Sequence, residues 1–223
     1  MGVEIEFLGH ATFLIRAGDE SVLIDPFLEG NPRASTSAAD VACTRVVITH
    51  GHADHMADAA SIAKRTGATV YAAFEICEYL GEQGVETLEP MNPGGTVAFE
   101  GGSVTLVQAF HSSSFEGRYM GMPCGAIVRV GDRCVYHTGD TALFSDMQMI
   151  GETHKPDALL VCAGDRFTMG PREAARAAEL VGAPVAVPMH YATWPLLTDD
   201  MDPFVPTGIR TALMEPGETL TLD

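Results

Sequence analysis

Side chains able to bind a metal crowd into one stretch of the chain, Thr49 to Asp58, which reads THGHADHMAD. His50, His52, Asp54 and His55 fall within six consecutive residues there, directly after the apolar run Arg45-Val46-Val47-Ile48. Three imidazoles and a carboxylate offer the nitrogen and oxygen donors that suit Zn²⁺ or a similar first-row cation. In an extended loop the alternation His50-x-His52 puts two rings on one side. The plain alternative is a polar loop in which Asp54 caps the following helix, but packing gives no reason for three histidines so close together.

Further candidates stand where apolar runs end: His111 after Val107-Gln108-Ala109-Phe110, Asp140 after Tyr136-His137-Thr138-Gly139, and His190 after Val185 to Met189. Strand ends can converge on one rim of a sheet, where rigid elements hold ligands and loops admit substrate. His111 can supply a third nitrogen beside His50 and His52, while Asp54, His55 and His190 can surround a second cation. Asp140 is placed to bridge the two, one oxygen to each. Two such cations, ~3.5–4 Å apart, generate a bridging hydroxide and clamp an oxyanion. His10 and His137 either line the same pocket or orient a ligand from behind it. Tyr191 either donates to a developing oxyanion or packs at its strand end. The run Ser112-Ser113-Ser114 reads as loop, since no free histidine and carboxylate remain to activate a serine.

The elements that must deliver these groups are legible in the patterning. Val3 to Leu8, Ala11 to Ile15 and Ser21 to Ile24 read as a meander of strands, followed by a loop over Leu28 to Asp40. Helical spacing runs from Met56 to Arg65 and stops at Gly67, which puts the ligand cluster at a strand-to-helix junction. A strand at Thr69 to Ala72 and a helix at Glu75 to Glu82 continue a βαβα order. Val97 to Phe99 and Val104 to Phe110 read as paired strands, and Gly117 to Gly125 as a loop. Beyond it come strands to Tyr136, a helix near Leu143 to Ile150, a strand at Ala158 to Cys162, a helix from Arg172 to Val181, a strand from Val185, and a last pair of strands near Ile209 to Leu213 and Thr219 to Leu222. The segment Ala126 to Tyr136 echoes Phe13 to Leu23, with Arg, Gly, Asp and Val coinciding, which suggests two similar β-rich halves packed face to face.

Length and composition bound the function. A chain of 223 residues, 46% hydrophobic and 19% charged, suits a single folded domain over residues 1–223. Its net charge of −17 repels phosphate backbones and anionic lipid, so nucleic acid and membranes are not expected partners. The excess acidity reads as solubility or adaptation to salt. The five cysteines include no C-x-x-C pair and are odd in number, which fits a reducing compartment. Glu4 and Glu6 stand where a secretory signal would be basic and then apolar, so the expected location is cytoplasmic. The expected partner is a small-molecule substrate, with a homo-oligomer left open.

The segment THGHADH, with His111, Asp140 and His190 following in order, resembles the H-x-H-x-D-H signature of the metallo-β-lactamase superfamily. LGHATFLI, LIDPF, AFHSSS, HTGDT, GDRFTMGP and PMHY are similar to a subfamily of metal-dependent hydrolases related to the ascorbate-6-phosphate lactonases. The resemblance implies an α/β fold, a four-layer αββα sandwich of two sheets flanked by helices. It implies His50, His52 and His111 on one metal, Asp54, His55 and His190 on the other, and Asp140 between them. Two divalent cations are implied, zinc first, with manganese, nickel or iron as the others. Arg166 departs from the relatives, where asparagine or histidine is usual, and could pair with an anionic substrate if it faces the pocket. Flavodiiron reductases of this fold carry glutamate at the position of His52, so hydrolysis is favoured over redox chemistry. The expected activity is attack of a metal-bridging hydroxide on a small ester, lactone or phosphoester, with Asp54 as catalytic proton carrier. The alternatives are a non-catalytic, metal-stabilised binding protein and a metal-dependent redox enzyme.

Overall fold

The computed structural model describes residues 2–223. The first part of the chain forms β1 (Val3–Gly9), β2 (Thr12–Ala17), β3 (Glu20–Ile24), β4 (Arg45–Val47), α1 (Ala53–Met56), α2 (Ala59–Thr66), β5 (Thr69–Ala73), α3 (Phe74–Glu82) and β6 (Leu88–Met91). The remainder forms β7 (Thr96–Phe99), β8 (Gly102–Gln108), β9 (Ser114–Phe115), β10 (Arg118–Tyr119), β11 (Cys124–Val130), β12 (Arg133–His137), α4 (Met147–His154), β13 (Ala158–Cys162), α5 (Pro171–Val181), β14 (Val185–Met189), β15 (Arg210–Thr211) and β16 (Thr219–Leu222).

Strand periodicity explains the layers, because successive side chains leave opposite faces of a sheet. Ile5, Phe7, Phe13, Ile15, Val22 and Ile24 enter the core between the two sheets. Their neighbours Leu8, Leu14 and Leu23 enter a second core with Ile62 of α2 and Ile76 and Leu80 of α3. On the far side, α5 lays Ala174, Ala177 and Ala178 against the second sheet. Strands covered on both faces carry no polar side: every residue of β13 and β14 is buried. The expected αββα sandwich is the observed one.

The two sheets repeat one pattern of strand directions. In the first, β16, β1, β2 and β3 are antiparallel neighbours and β3, β4, β5 and β6 are parallel ones. In the second, β7, β8, β11 and β12 are antiparallel and β12, β13, β14 and β15 parallel. The sequence echo maps onto equivalent hairpins: Ala17↔Glu20 closes around Gly18 at φ 59°, and Val130↔Arg133 around Gly131 at φ 58°. Because β1, β3 and β4 point one way, as do β8, β12 and β14, their C-terminal ends share one rim. His10, Asp25 and His50 follow the first three strands, and His111, Asp140 and His190 follow the second three.

Four local expectations are corrected. The helix expected over Met56 to Arg65 is broken at Ala57-Asp58, because the Asp58 carboxylate turns to accept the backbone N–H groups of Leu28 (2.6 Å) and Glu29 (3.0 Å). Strand β6 was not anticipated, since Pro90 lies inside it; as an edge strand it tolerates the missing donor. Helix α4 starts at Met147, four residues after the expected Leu143, because Phe144 is engaged edge-on with Phe110 at 5.1 Å. The two final strands do not pair: β15 joins the second sheet and β16 the first.

Gly139 turns the chain between β12 and Asp140 at φ 59°, and a Cβ there would stand 2.4 Å from the Cys124 carbonyl oxygen. Gly139→Ala is therefore expected to destabilise the protein by roughly 1–3 kcal/mol through backbone strain. A lowered urea midpoint checks it.

Candidate metal centre

The extended backbone of His52 (φ −95°, ψ 153°) places the first pair of rings together, and the first turn of α1 then presents Asp54 and His55. Asp54 does not cap this helix; His52 holds the cap position without a side-chain bond. His50 Nε2 faces His52 Nδ1 at 3.0 Å, and the His52 Nε2 faces Ser112 Oγ at 3.2 Å. His111 completes a triangle of imidazoles whose centroids are 4.6, 5.0 and 5.1 Å apart. A second group lies beside it. His190 Nε2 is 3.6 Å from Asp54 Oδ2, and His55 Nε2 is 3.9 Å from the same oxygen. Asp140 stands between the groups, with Oδ2 3.5 Å from His111 Nε2 and 3.0 Å from His190 Nε2, and Oδ1 3.4 Å from His55 Nε2.

The seven expected ligands thus lie together, five of them along one cleft with His50 and His55 buried behind it. Its volume is about 310 Å³, and His52, Asp54, His111, Ser112, Asp140, Phe167 and His190 line it. His10 joins the second group, with Nε2 3.2 Å from Asp54 Oδ2. His137 does not face the cleft. It is buried between the sheets, donating to the Ala11 carbonyl (2.9 Å) and accepting from Gly139 N–H (3.0 Å), so it holds the turn before Asp140 rather than lining a pocket. Tyr191 is also absent from the cleft lining; burial and the charge of Glu215 raise its phenol above the ordinary value. Arg166 is exposed, its guanidinium 5.7 Å from the ring of its neighbour Phe167, and only the Phe167 side of that pair lines the cleft. The serines act as loop ties: Ser113 Oγ accepts from Gly51 N–H and donates to the Met120 carbonyl.

Asp25 was not singled out from the sequence, yet it organises the site. Fully buried, it accepts Thr49 N–H (2.8 Å), Thr49 O–H (2.6 Å) and His55 Nδ1–H (2.7 Å). These bonds fix proton positions. With neutral His55 donating from Nδ1, its Nε2 presents a lone pair toward Asp140. With the Thr49 proton given to Asp25, Thr49 Oγ1 accepts from His50 Nδ1 at 3.0 Å, and the His50 Nε2 is likewise free. The available signal was Asp-Pro directly after an apolar run, in LIDPF.

Electrostatics separate the two groups. Burial pushes His50, His52 and His111 below their ordinary value and keeps these rings neutral. Burial opposes charge on His190 too, but Asp140 outweighs it and raises the ring to about 9. For His55 burial is likewise overcome, by Asp140 and Asp25, and the ring is held well above the usual range. Burial would raise Asp54 and Asp140; His55 reverses this for Asp54, and His190 with His55 reverse it for Asp140. His10 is pushed down to about 3, by burial first and then by the charge of His190.

Residues 20–191 match the family described as beta-lactamase superfamily domain. The chain is 45% identical, over 97% of its length and 99% of the relative's, to a UPF0173 metal-dependent hydrolase of Methanopyrus kandleri. It is also 45% identical to one from Geobacillus thermodenitrificans, with coverage of 99% and 100%. Among solved structures it resembles Igni18, a metallo hydrolase from Ignicoccus hospitalis, with a TM-score of 0.90 and 34% identity over 100% of this chain and 99% of that one.

Two outcomes follow. In the metal-free protein, protonated His190 contributes stability that is complete below pH 6.5 and is lost as pH rises through about 9, so the urea midpoint should fall across that window in chelator. A divalent cation competes with the same protons, so its affinity should rise over that range. Asp25→Asn removes the acceptor that fixes His55; affinity for a divalent cation, probed with zinc in competition with a chelator, should drop about 10–100-fold.

Proposed function

Because this chain belongs to the beta-lactamase superfamily, and within it to the UPF0173 metal-dependent hydrolases, we propose that it cleaves a small ester, lactone or phosphoester at a binuclear cation centre. One observation carries the reading. His55 Nε2 and His190 Nε2 are buried and turn toward the Asp140 carboxylate, at 3.4 Å from Oδ1 and 3.0 Å from Oδ2, and among the described residues neither makes a well-formed hydrogen bond. Such groups are costly unless a ligand completes them. A three-imidazole set and a set of two imidazoles with a carboxylate, joined by Asp140, are donor sets that fit zinc.

His50, His52 and His111 would hold one cation, Asp54, His55 and His190 the other, with Asp140 shared. When bound, the pair supplies Lewis acidity and brings the pKa of water toward neutrality. The chain's own groups do the rest. Asp54, the partly exposed carboxylate of the cleft at 27% side-chain accessibility, can take a proton and return it to the leaving group. Ser112 holds the outer nitrogen of His52, which keeps the ring from swinging out of the cleft. Phe167 lays a half-exposed ring along the mouth and would cover an apolar part of the substrate. The cleft volume suits a small molecule rather than a polymer. The five cysteines are free and buried, which supports a reducing, cytoplasmic setting. No helix among the described residues is long and apolar enough to cross a membrane.

The test is turnover of a panel of esters, lactones and phosphoesters by zinc-loaded protein, with and without chelator, beside elemental analysis of the purified protein. Hydrolysis abolished by chelator and restored by zinc is expected, with Asp54→Asn lowering kcat by about 10²–10⁴-fold. Turnover indifferent to chelator would sink the proposal, and bound iron with oxygen uptake would replace it with redox chemistry.

A further inference from the structure

We propose that His10 is a positioning residue for Asp54: its Nε2–H holds carboxylate oxygen Oδ2 and so determines which oxygen of Asp54 faces the cleft. This rests on the reading of Asp54 as cation ligand and proton carrier. His10 follows β1, and its ring meets two side chains far away in sequence. Nε2 lies 3.2 Å from Asp54 Oδ2 and Nδ1 lies 2.8 Å from Thr193 Oγ1.

The tautomer follows from what each partner can do. A carboxylate oxygen only accepts, whereas a hydroxyl can donate. The neutral ring therefore carries its proton on Nε2, and Thr193 donates to Nδ1. The opposite tautomer would aim a nitrogen lone pair at a carboxylate oxygen across 3.2 Å. It would also send the Thr193 proton to the Tyr191 carbonyl at a longer 3.3 Å.

The ring is also held rigidly. Its side chain is fully buried, with centroid distances of 4.0 Å to His190, 4.9 Å to Trp194 and 5.8 Å to Phe27. The His10 carbonyl accepts His190 N–H at 2.8 Å, tying the two strand ends together. His10 adopts φ 59°, a left-handed conformation unfavourable for a residue with a Cβ, and surrounding contacts must maintain it.

The consequence falls on Asp54. A carboxylate rotates readily about its last bond, and Asp54 is the one group of the second set that also lines the open cleft with partial exposure. His10 occupies one lone pair of Oδ2 and leaves the other toward His190 and His55. The contacts to His10, His190 and His55 all fall on Oδ2, so on this proposal Oδ1 is the oxygen left for the cleft.

Long-range proton–nitrogen NMR of the zinc-loaded wild-type protein reads the tautomer without any variant. The Nε2–H form is expected; Nδ1–H with Nε2 bound to zinc would make His10 a ligand and overturn the proposal. In a chelator competition, His10→Leu should hold its weaker zinc about 10–100-fold less tightly. His10→Gln, whose amide can donate to the same oxygen, should recover most of that loss. Undiminished zinc affinity in His10→Leu overturns the clamp. Asp54→Asn in the same titration tells the two ideas apart: if it too binds zinc fully, the ligand role of Asp54 fails, and if it alone is weakened, only the role of His10 fails.

Discussion

Nitrogen lone pairs buried face to face repel one another unless a proton or a cation lies between them, and this constraint governs the rim where the two sheets meet. His50 Nε2 and His52 Nδ1 are 3.0 Å apart, and the buried Nε2 atoms of His55 and His190 turn toward the Asp140 carboxylate at 3.4 and 3.0 Å. In the second group, protons on His55 and His190 satisfy Asp140 and Asp54 when nothing else is bound. The first group is kept neutral by burial. Family membership among metal-dependent hydrolases gives such an arrangement a use, since a metal ion bound by histidines takes up lone pairs and displaces protons.

Holding such groups together requires stiffness behind them. The bonds from Asp25 to Thr49 and His55 reach across β3 and β4, and the His137 ring ties Ala11 to Gly139 across the sandwich. Left-handed backbone at His10, Asp25 and His190 marks the points where strands turn sharply into the site. Three residues with a Cβ in that region within one rim are unfavourable singly, and the buried hydrogen bonds around them keep them there.

The doubled sheet explains why the site needs so little chain. Equivalent strands carry equivalent groups: a histidine after β1 and after β8, an aspartate after β3 and after β12. Face-to-face packing of two similar sheets brings these rims together, and the dense cluster after β4 occupies the junction. The second sheet's counterpart of that cluster, after β13, holds no histidine; there Phe167 lines the cleft instead.

Much was legible in the sequence because it depends on local chemistry. Four candidate ligands within six residues need no fold to be recognised, and period-two patterning with Gly-Asp turns revealed both hairpins and their likeness. Elements set by long-range contacts were not legible. By sequence Asp25 is only the end of a strand; its role comes from Thr49 and His55, which donate to it. His10 and His137 were indistinguishable as single histidines: the first meets Asp54 and Thr193, the second two backbone groups between the sheets. Pro90 hid a strand that only its edge position permits, and the final two strands parted to different sheets. Residue type and spacing decide which atoms can bind a cation. Which of them face one another, and which proton each ring carries, is decided by partners up to 183 residues away, and only the tertiary structure supplies those.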